Sequence, residues 1–180
     1  MTRRWIVTAL GKDRPGIVAG VTGILYRLGC NLEDSAMTRL EEEFAIMLIF
    51  SSPPRVGEPA LRRAFSPLER RLTLVVHLKP LTGSETGSPR KRGKSHLISV
   101  YGADRPGIVF RMSDALAKER VNITDVHTHR SAGGKPLYLT LLEVELPSNR
   151  TVASLERKLA AAAKRLGVQV SVRSSEASVL

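Results

Sequence analysis

The chain of 180 residues carries 28 Lys and Arg against 17 Asp and Glu, a formal net charge of +11, with 42% hydrophobic and 4% aromatic residues. This balance fits a folded globular protein and excludes disordered, collagenous and membrane-spanning classes, because the longest apolar run, residues 44–50, is far shorter than a bilayer is thick. The first residues lack the apolar stretch and cleavage site of a secretory signal, and the lone Cys30 has no internal disulfide partner, so a cytoplasmic protein is expected.

In chain order, residues 3–10 are apolar and β-branched up to Gly11 and predict a buried strand. Directly after Pro15 the period changes: Ile17, Val21, Ile24 and Leu28, flanked by Val18 and Leu25, predict a helix that Gly29 ends. Residues 31–40 and 43–50 predict a hairpin turning at Glu41 and Glu42. A second helix follows with the stripe Leu61, Phe65 and Leu68, and the alternation in residues 71–78 predicts a fourth strand. Residues 80–94, rich in Pro, Gly, Ser and charge, read as a linker. The order then restarts: strand 95–101, helix 106–119, strands 122–131 and 137–146, helix 151–166 with Val152, Leu155, Leu159, Ala162 and Leu166, strand 168–173, and a frayed tail 174–180.

The expected organisation is therefore a domain 1–79, a linker 80–94, a second domain 95–173 and a tail. Each domain has the order βαββαβ, which right-handed crossovers fold into a ferredoxin-like α+β unit with an antiparallel sheet and two helices on one face. Units this small gain stability by packing on a neighbour, so a homo-oligomer is expected.

The halves are a duplication. GKDRPGIV at 11–18 returns as GADRPGIV at 102–109, and Asp13 to Asp104, Asn31 to Asn122 and Arg39 to Arg130 are all spaced by 91. The turn opens a helix, whose unpaired N–H groups and dipole attract a carboxylate. Asn31 and Asn122 open the next strand with amides that both donate and accept, suited to the carboxylate and ammonium of an amino acid. Two bland alternatives stand beside this: the aspartates cap the first helical N–H groups, and the asparagines satisfy local backbone. His127, His129 and Asp125 share a strand face at metal-like spacing, but their counterparts Asp34, Ala36 and Thr38 do not, and no fourth ligand is evident. Arg39 and Arg130 could complete an anionic site, but they sit near strand ends, where solvated or interface charges are the alternative, and Cys30, matched by Val121, is a small packing residue.

The turn Asp-Arg-Pro-Gly-Ile-Val, with an Asn 18 residues after its aspartate in a βαββαβ unit, resembles the ACT domain, a regulatory module that commonly binds amino acids. The resemblance implies ligand contacts from Asp13, Gly16 and Asn31, and from Asp104, Gly107 and Asn122, at places where two such domains meet side by side. Some members carry a histidine where this chain has Gly11 and Gly102. Two ACT units joined by a short linker further resemble the family of glycine cleavage system transcriptional repressors. That likeness implies action through a DNA-binding activator rather than on DNA itself, with a small amino acid such as glycine or serine as ligand. From the residues themselves no nucleophile, base and orienting group recur together and no glycine-rich phosphate loop appears, so neither catalysis nor a cofactor is expected. The alternatives from other classes are a regulatory subunit of a metabolic enzyme and a basic nucleic-acid-binding protein. The second is weakened because Arg62, Arg63, Arg70, Arg71, Arg157, Lys158, Lys164 and Arg165 are spread over helices as solvated faces, with one compact cluster, Arg90-Lys91-Arg92 and Lys94, in the linker, and the aromatic platform of RNA-binding sheets is missing.

Overall fold

The structure, a computed structural model, describes residues 2–81, 93–131 and 137–175. The chain forms two compact units divided between its fourth and fifth strands. Unit 1 runs β1 (Arg3–Lys12), α1 (Ile17–Arg27), β2 (Asn31–Leu40), β3 (Glu43–Ser52), α2 (Glu58–Leu72) and β4 (Val75–Leu81). Unit 2 runs β5 (Lys94–Ala103), α3 (Ile108–Lys118), β6 (Asn122–Arg130), β7 (Leu137–Leu146), α4 (Val152–Leu166) and β8 (Val168–Ser174). Each sheet is antiparallel, with orders β2-β3-β1-β4 and β6-β7-β5-β8. These are the expected ferredoxin-like units. No helix among the described residues is long and apolar enough to cross a membrane.

The alternating side chains of the central strands build each core. In unit 1, Trp5, Val7 and Ala9 of β1 and Phe44, Ile46, Leu48 and Phe50 of β3 are buried beneath Ile17, Val21 and Ile24 of α1 and Leu61, Phe65 and Leu68 of α2. Each fully buried large side chain contributes about 1.5–3 kcal/mol. The indole N–H of Trp5 donates to Ser52 Oγ at 3.0 Å, and that hydroxyl donates to the Val56 carbonyl at 2.9 Å, so the buried polar groups are satisfied in series. In unit 2 the corresponding layers are Ile98, Val100, Leu142 and Val144 under Ile108, Met112, Leu116, Leu155 and Leu159.

Some boundaries differ from expectation. Residues 71 and 72 end α2 instead of opening a strand, and β4 begins at Val75. Leu72, Leu74, Val76 and Leu78 do alternate toward the core, but Thr73 at φ 54° closes the helix in between, so a period of two spans two kinds of backbone. Residues 79–81 belong to β4, paired with Ile6, Trp5 and Arg4, and Lys94 belongs to β5; the rest of the expected linker, 82–92, lies outside the described residues. So do residues 176–180 of the expected tail. Val18 faces solvent, and in α4 it is Ala163, not Ala162, that is fully buried. Cys30 packs partly against the unit 1 core, and burial raises its thiol pKa.

Candidate ligand site at the repeated turn

Gly16 and Gly107 are the N-cap residues of α1 and α3, at φ 94° and 91°, and no side chain caps either helix. The expectation that the aspartates cap these helices is therefore corrected. Asp13 instead faces Arg39 near the end of β2, Oδ2 to Nη1 at 3.5 Å, and Asp104 faces Arg130 near the end of β6, Oδ2 to Nε at 3.0 Å. Each turn is thus tied by an ion pair to the far end of the next strand, with the helix dipole beside it. These arginines, set aside as solvated charges, are part of the constellation; their shared 91-residue spacing was the signal. In unit 1 the turn is further held by Asp13 N–H donating to the Glu42 carbonyl at 2.7 Å.

Space above Gly16 and Gly107 is open: a Cβ on either would meet nothing within 4 Å. Behind the turn the reverse is true. A Cβ on Gly11 would lie 2.8 Å from Leu74 Cδ2 and 3.0 Å from the Thr73 carbonyl oxygen, and one on Gly102 would lie 2.8 Å from Val168 Cγ1. The family histidine thus has no room in this chain, because the strand carrying it packs directly on the start of the next segment.

Asn31 and Asn122 are exposed, and their amides make no hydrogen bond among the described residues, so the backbone-satisfying alternative does not hold. They are also far from the aspartates of their own unit. Asn31 is opposite Ser51, which is opposite Arg4, and Asp13 follows nine positions later along β1. At about 3.3 Å per residue the two are separated by about 30 Å. Asn122, opposite Glu145 and hence Ser95, stands in the same relation to Asp104. One unit by itself therefore does not bring its sequence-predicted residues together.

What lies between them is an open edge. All ten residues of β2 are exposed, including Met37 at 67% and Leu40 at 76%, and β6 is nearly as bare. On the outer face of β6, His127 Nε2 lies 2.8 Å from Asp125 Oδ2, and no group of three metal-binding side chains occurs among the described residues.

Residues 3–79 and 95–173 each match the ACT domain family. Over 93% of its length the chain is 26% identical to the glycine cleavage system transcriptional repressor of Escherichia coli (strain K12), covering 87% of that protein. A UPF0237 protein of Streptococcus pneumoniae serotype 4 is 36% identical over 74 residues, 41% of this chain and 84% of its own. The fold is shared with the crystal structure of an unknown protein from Galdieria sulphuraria, TM-score 0.79 and 23% identity, over 97% of this chain and 99% of that one. With the match spanning both halves, the chain belongs to the ACT domain family as a tandem pair of such units.

Proposed function

We propose that this chain is a non-catalytic regulator that senses a small amino acid, glycine or serine, through ACT edges that pair between two copies of the chain. The observation that carries this reading is the separation of Asn31 from Asp13 along one unit, with an exposed edge strand joining them. When two β2 strands run antiparallel in register, Asn31 of one copy lies beside Leu40 and Arg39 of the other, next to the Asp13 turn. A carboxylate then meets Asn31 and the open N-terminus of α1 over Gly16, and an ammonium meets Asp13. The same construction on β6 uses Asn122, Gly107 and Asp104.

A ligand that contacts two copies favours the paired state by its differential affinity, and so changes the surface offered to a protein partner. The Escherichia coli relative is named as a transcriptional repressor of the glycine cleavage system, which supports a role in transcriptional control. Within that role the partner we propose is a DNA-binding activator, contacted through protein rather than DNA. Isothermal titration against glycine, serine and the remaining common amino acids tests the sensing step, with thermal stability followed in parallel. Saturable binding of a small amino acid, with a stability gain that grows as mass action requires, is the expected result. Absence of binding for every amino acid sinks the sensing reading and leaves a double ACT scaffold for partner contact.

A further inference from the structure

The helix layer of unit 1 carries a second feature that the ligand site does not use. α1 and α2 run antiparallel, since each returns along one of the antiparallel strands β1 and β3. They approach so closely at Gly20 that a Cβ there would lie 2.7 Å from Leu68 Cδ1. Along the solvent side of this contact is a groove of about 530 Å³, floored by Ala19, Gly20 and Ala64, with Arg71 toward the Gly16 end and Arg27 at the other. From Gly16 to Arg27 the helix rises about 16 Å. Both arginines are exposed and form no ion pair or hydrogen bond among the described residues. On α2, Arg62 pairs with Glu58 at 2.7 Å, and Arg70 donates to Ser66 Oγ at 2.7 Å.

Unit 2 repeats the corners and little else. Lys118 is 91 residues after Arg27, and Arg165 is 94 after Arg71, the same offset that relates Leu155 to Leu61. Both line a groove of about 280 Å³ between α3 and α4. Between the corners the residues change, Gly20 to Arg111, Gly23 to Asp114 and Ala64 to Lys158, and the two end positions stay cationic, although Lys118 is paired with Asp114 at 2.8 Å where Arg27 is unpaired among the described residues.

From this geometry we infer that the α1–α2 groove seats an acidic helical segment of a protein partner, with carboxylates about two turns apart on Arg27 and Arg71 and small apolar side chains on the floor. The inference rests on the regulatory reading only in taking a protein as the partner. Charge complementarity decides the occupant. The Arg27 guanidinium folds back over Gly23, where a Cβ would meet Nη1 at 3.4 Å, so its charge lies about 10 Å along α1 from Gly16. Two separate cations across an uncharged floor match discrete carboxylates, whereas a nucleic-acid strand carries a phosphate about every 3.4 Å and calls for contiguous cations. An apolar floor with charged ends is also the pattern of helix-in-groove recognition.

The test is fluorescence anisotropy with the full chain and a labelled synthetic peptide of about 15 residues, with Glu at positions 4 and 11 and Ala and Leu between. A counterpart carries Lys in place of Glu. The protein has Lys118→Gln and Arg165→Gln, so that only the unit 1 groove is read. The Glu peptide is expected to bind saturably, Arg27→Glu/Arg71→Glu to weaken it at least about tenfold, and the same variant to prefer the Lys peptide. The neutral pair Arg27→Gln/Arg71→Gln, expected to weaken the Glu peptide without preferring the Lys one, serves if charge reversal unfolds the unit. No saturable binding up to about 1 mM, or equal affinity in wild-type and reversed corners, overturns the inference. Displacement of the peptide by duplex DNA whose own affinity drops in the reversed variant also overturns it, in favour of a phosphate-binding groove. Amino-acid titration of the same protein reports separately: peptide binding without glycine or serine binding keeps the groove and removes the sensor, and the reverse removes the groove alone.

Discussion

If Asn31 of one copy completes the turn of another, two inactive variants must rescue each other. The experiment isolates unit 1 by placing every protein in a background with Asp104→Ala and Asn122→Ala. Asn31→Ala then lacks one half of each site and Asp13→Ala the other, and neither alone is expected to bind glycine. After subunit exchange of an equal mixture, about half of the pairs are mixed, and each mixed pair holds one intact and one doubly defective site. The recovered stoichiometry is therefore about one quarter of that background's value, at unchanged affinity. Calorimetry reads the stoichiometry, and mass spectrometry of the mixture verifies exchange. The number follows from the separation of about 30 Å between Asn31 and Asp13 within a unit, far beyond the reach of one small amino acid. Zero recovery after complete exchange would refute the shared-site geometry, as would full binding by either single variant.

Four further outcomes follow from local structure. Thr140 Oγ1 is buried without a partner among the described residues, so Thr140→Val is expected to stabilise unit 2 by about 1 kcal/mol, raising Tm by several degrees in calorimetry. Arg120 stands at φ 58° where unit 1 has Gly29, and Arg120→Gly is expected to gain about 0.5–1 kcal/mol in denaturant unfolding. On α1, Gly16→Ala at φ 94° is expected to cost about 1–2 kcal/mol, while Gly23→Ala, whose new Cβ meets only the Arg27 guanidinium, gains about 0.5–1; equal signs for the two would contradict the backbone reading. Glu119 accepts a hydrogen bond from Lys158 and pairs with Arg150 at 3.3 Å, which lowers its pKa despite burial. A carboxyl with a lowered folded pKa stabilises above the ordinary glutamate range and stops doing so as the pH falls through its folded value. The stability gap between wild type and Glu119→Gln should therefore narrow between about pH 6 and pH 3 in thermal melts.

The fold was legible because it was written twice: the Asp-Arg-Pro-Gly turn, the strand alternation and the helical stripes recur in one order. The end of α2 was not, because Leu72 and Leu74 face the core on either side of the left-handed Thr73, and alternation does not distinguish a helix end from a strand start. For the site, Asn31 and Asp13 look adjacent in sequence, separated by one helix. α1 runs back along the sheet and delivers the asparagine to the other end, a fact visible only in the register. Arg39 was discounted because a charge near a strand end needs no partner to be explained, and its pairing with Asp13, 26 positions away, is visible only in the fold. Arg71 and Arg165 read as solvated helix charges because the offset between repeats grows from 91 to 94 at the hairpin turn, so matching at one period does not pair them.

The two lateral edges of the unit 1 sheet differ in kind. β2 presents a full set of backbone donors and acceptors, whereas β4 contains Pro80, which has no N–H to give. Growth from such a sheet is self-terminating: once one β2 has added to another, what remains outward on both flanks is the interrupted strand. In the proposed β2–β2 arrangement, unit 1 would form a closed pair of finite size, and the hydrogen-bonding capacity that elsewhere propagates into fibres would be spent after a single addition.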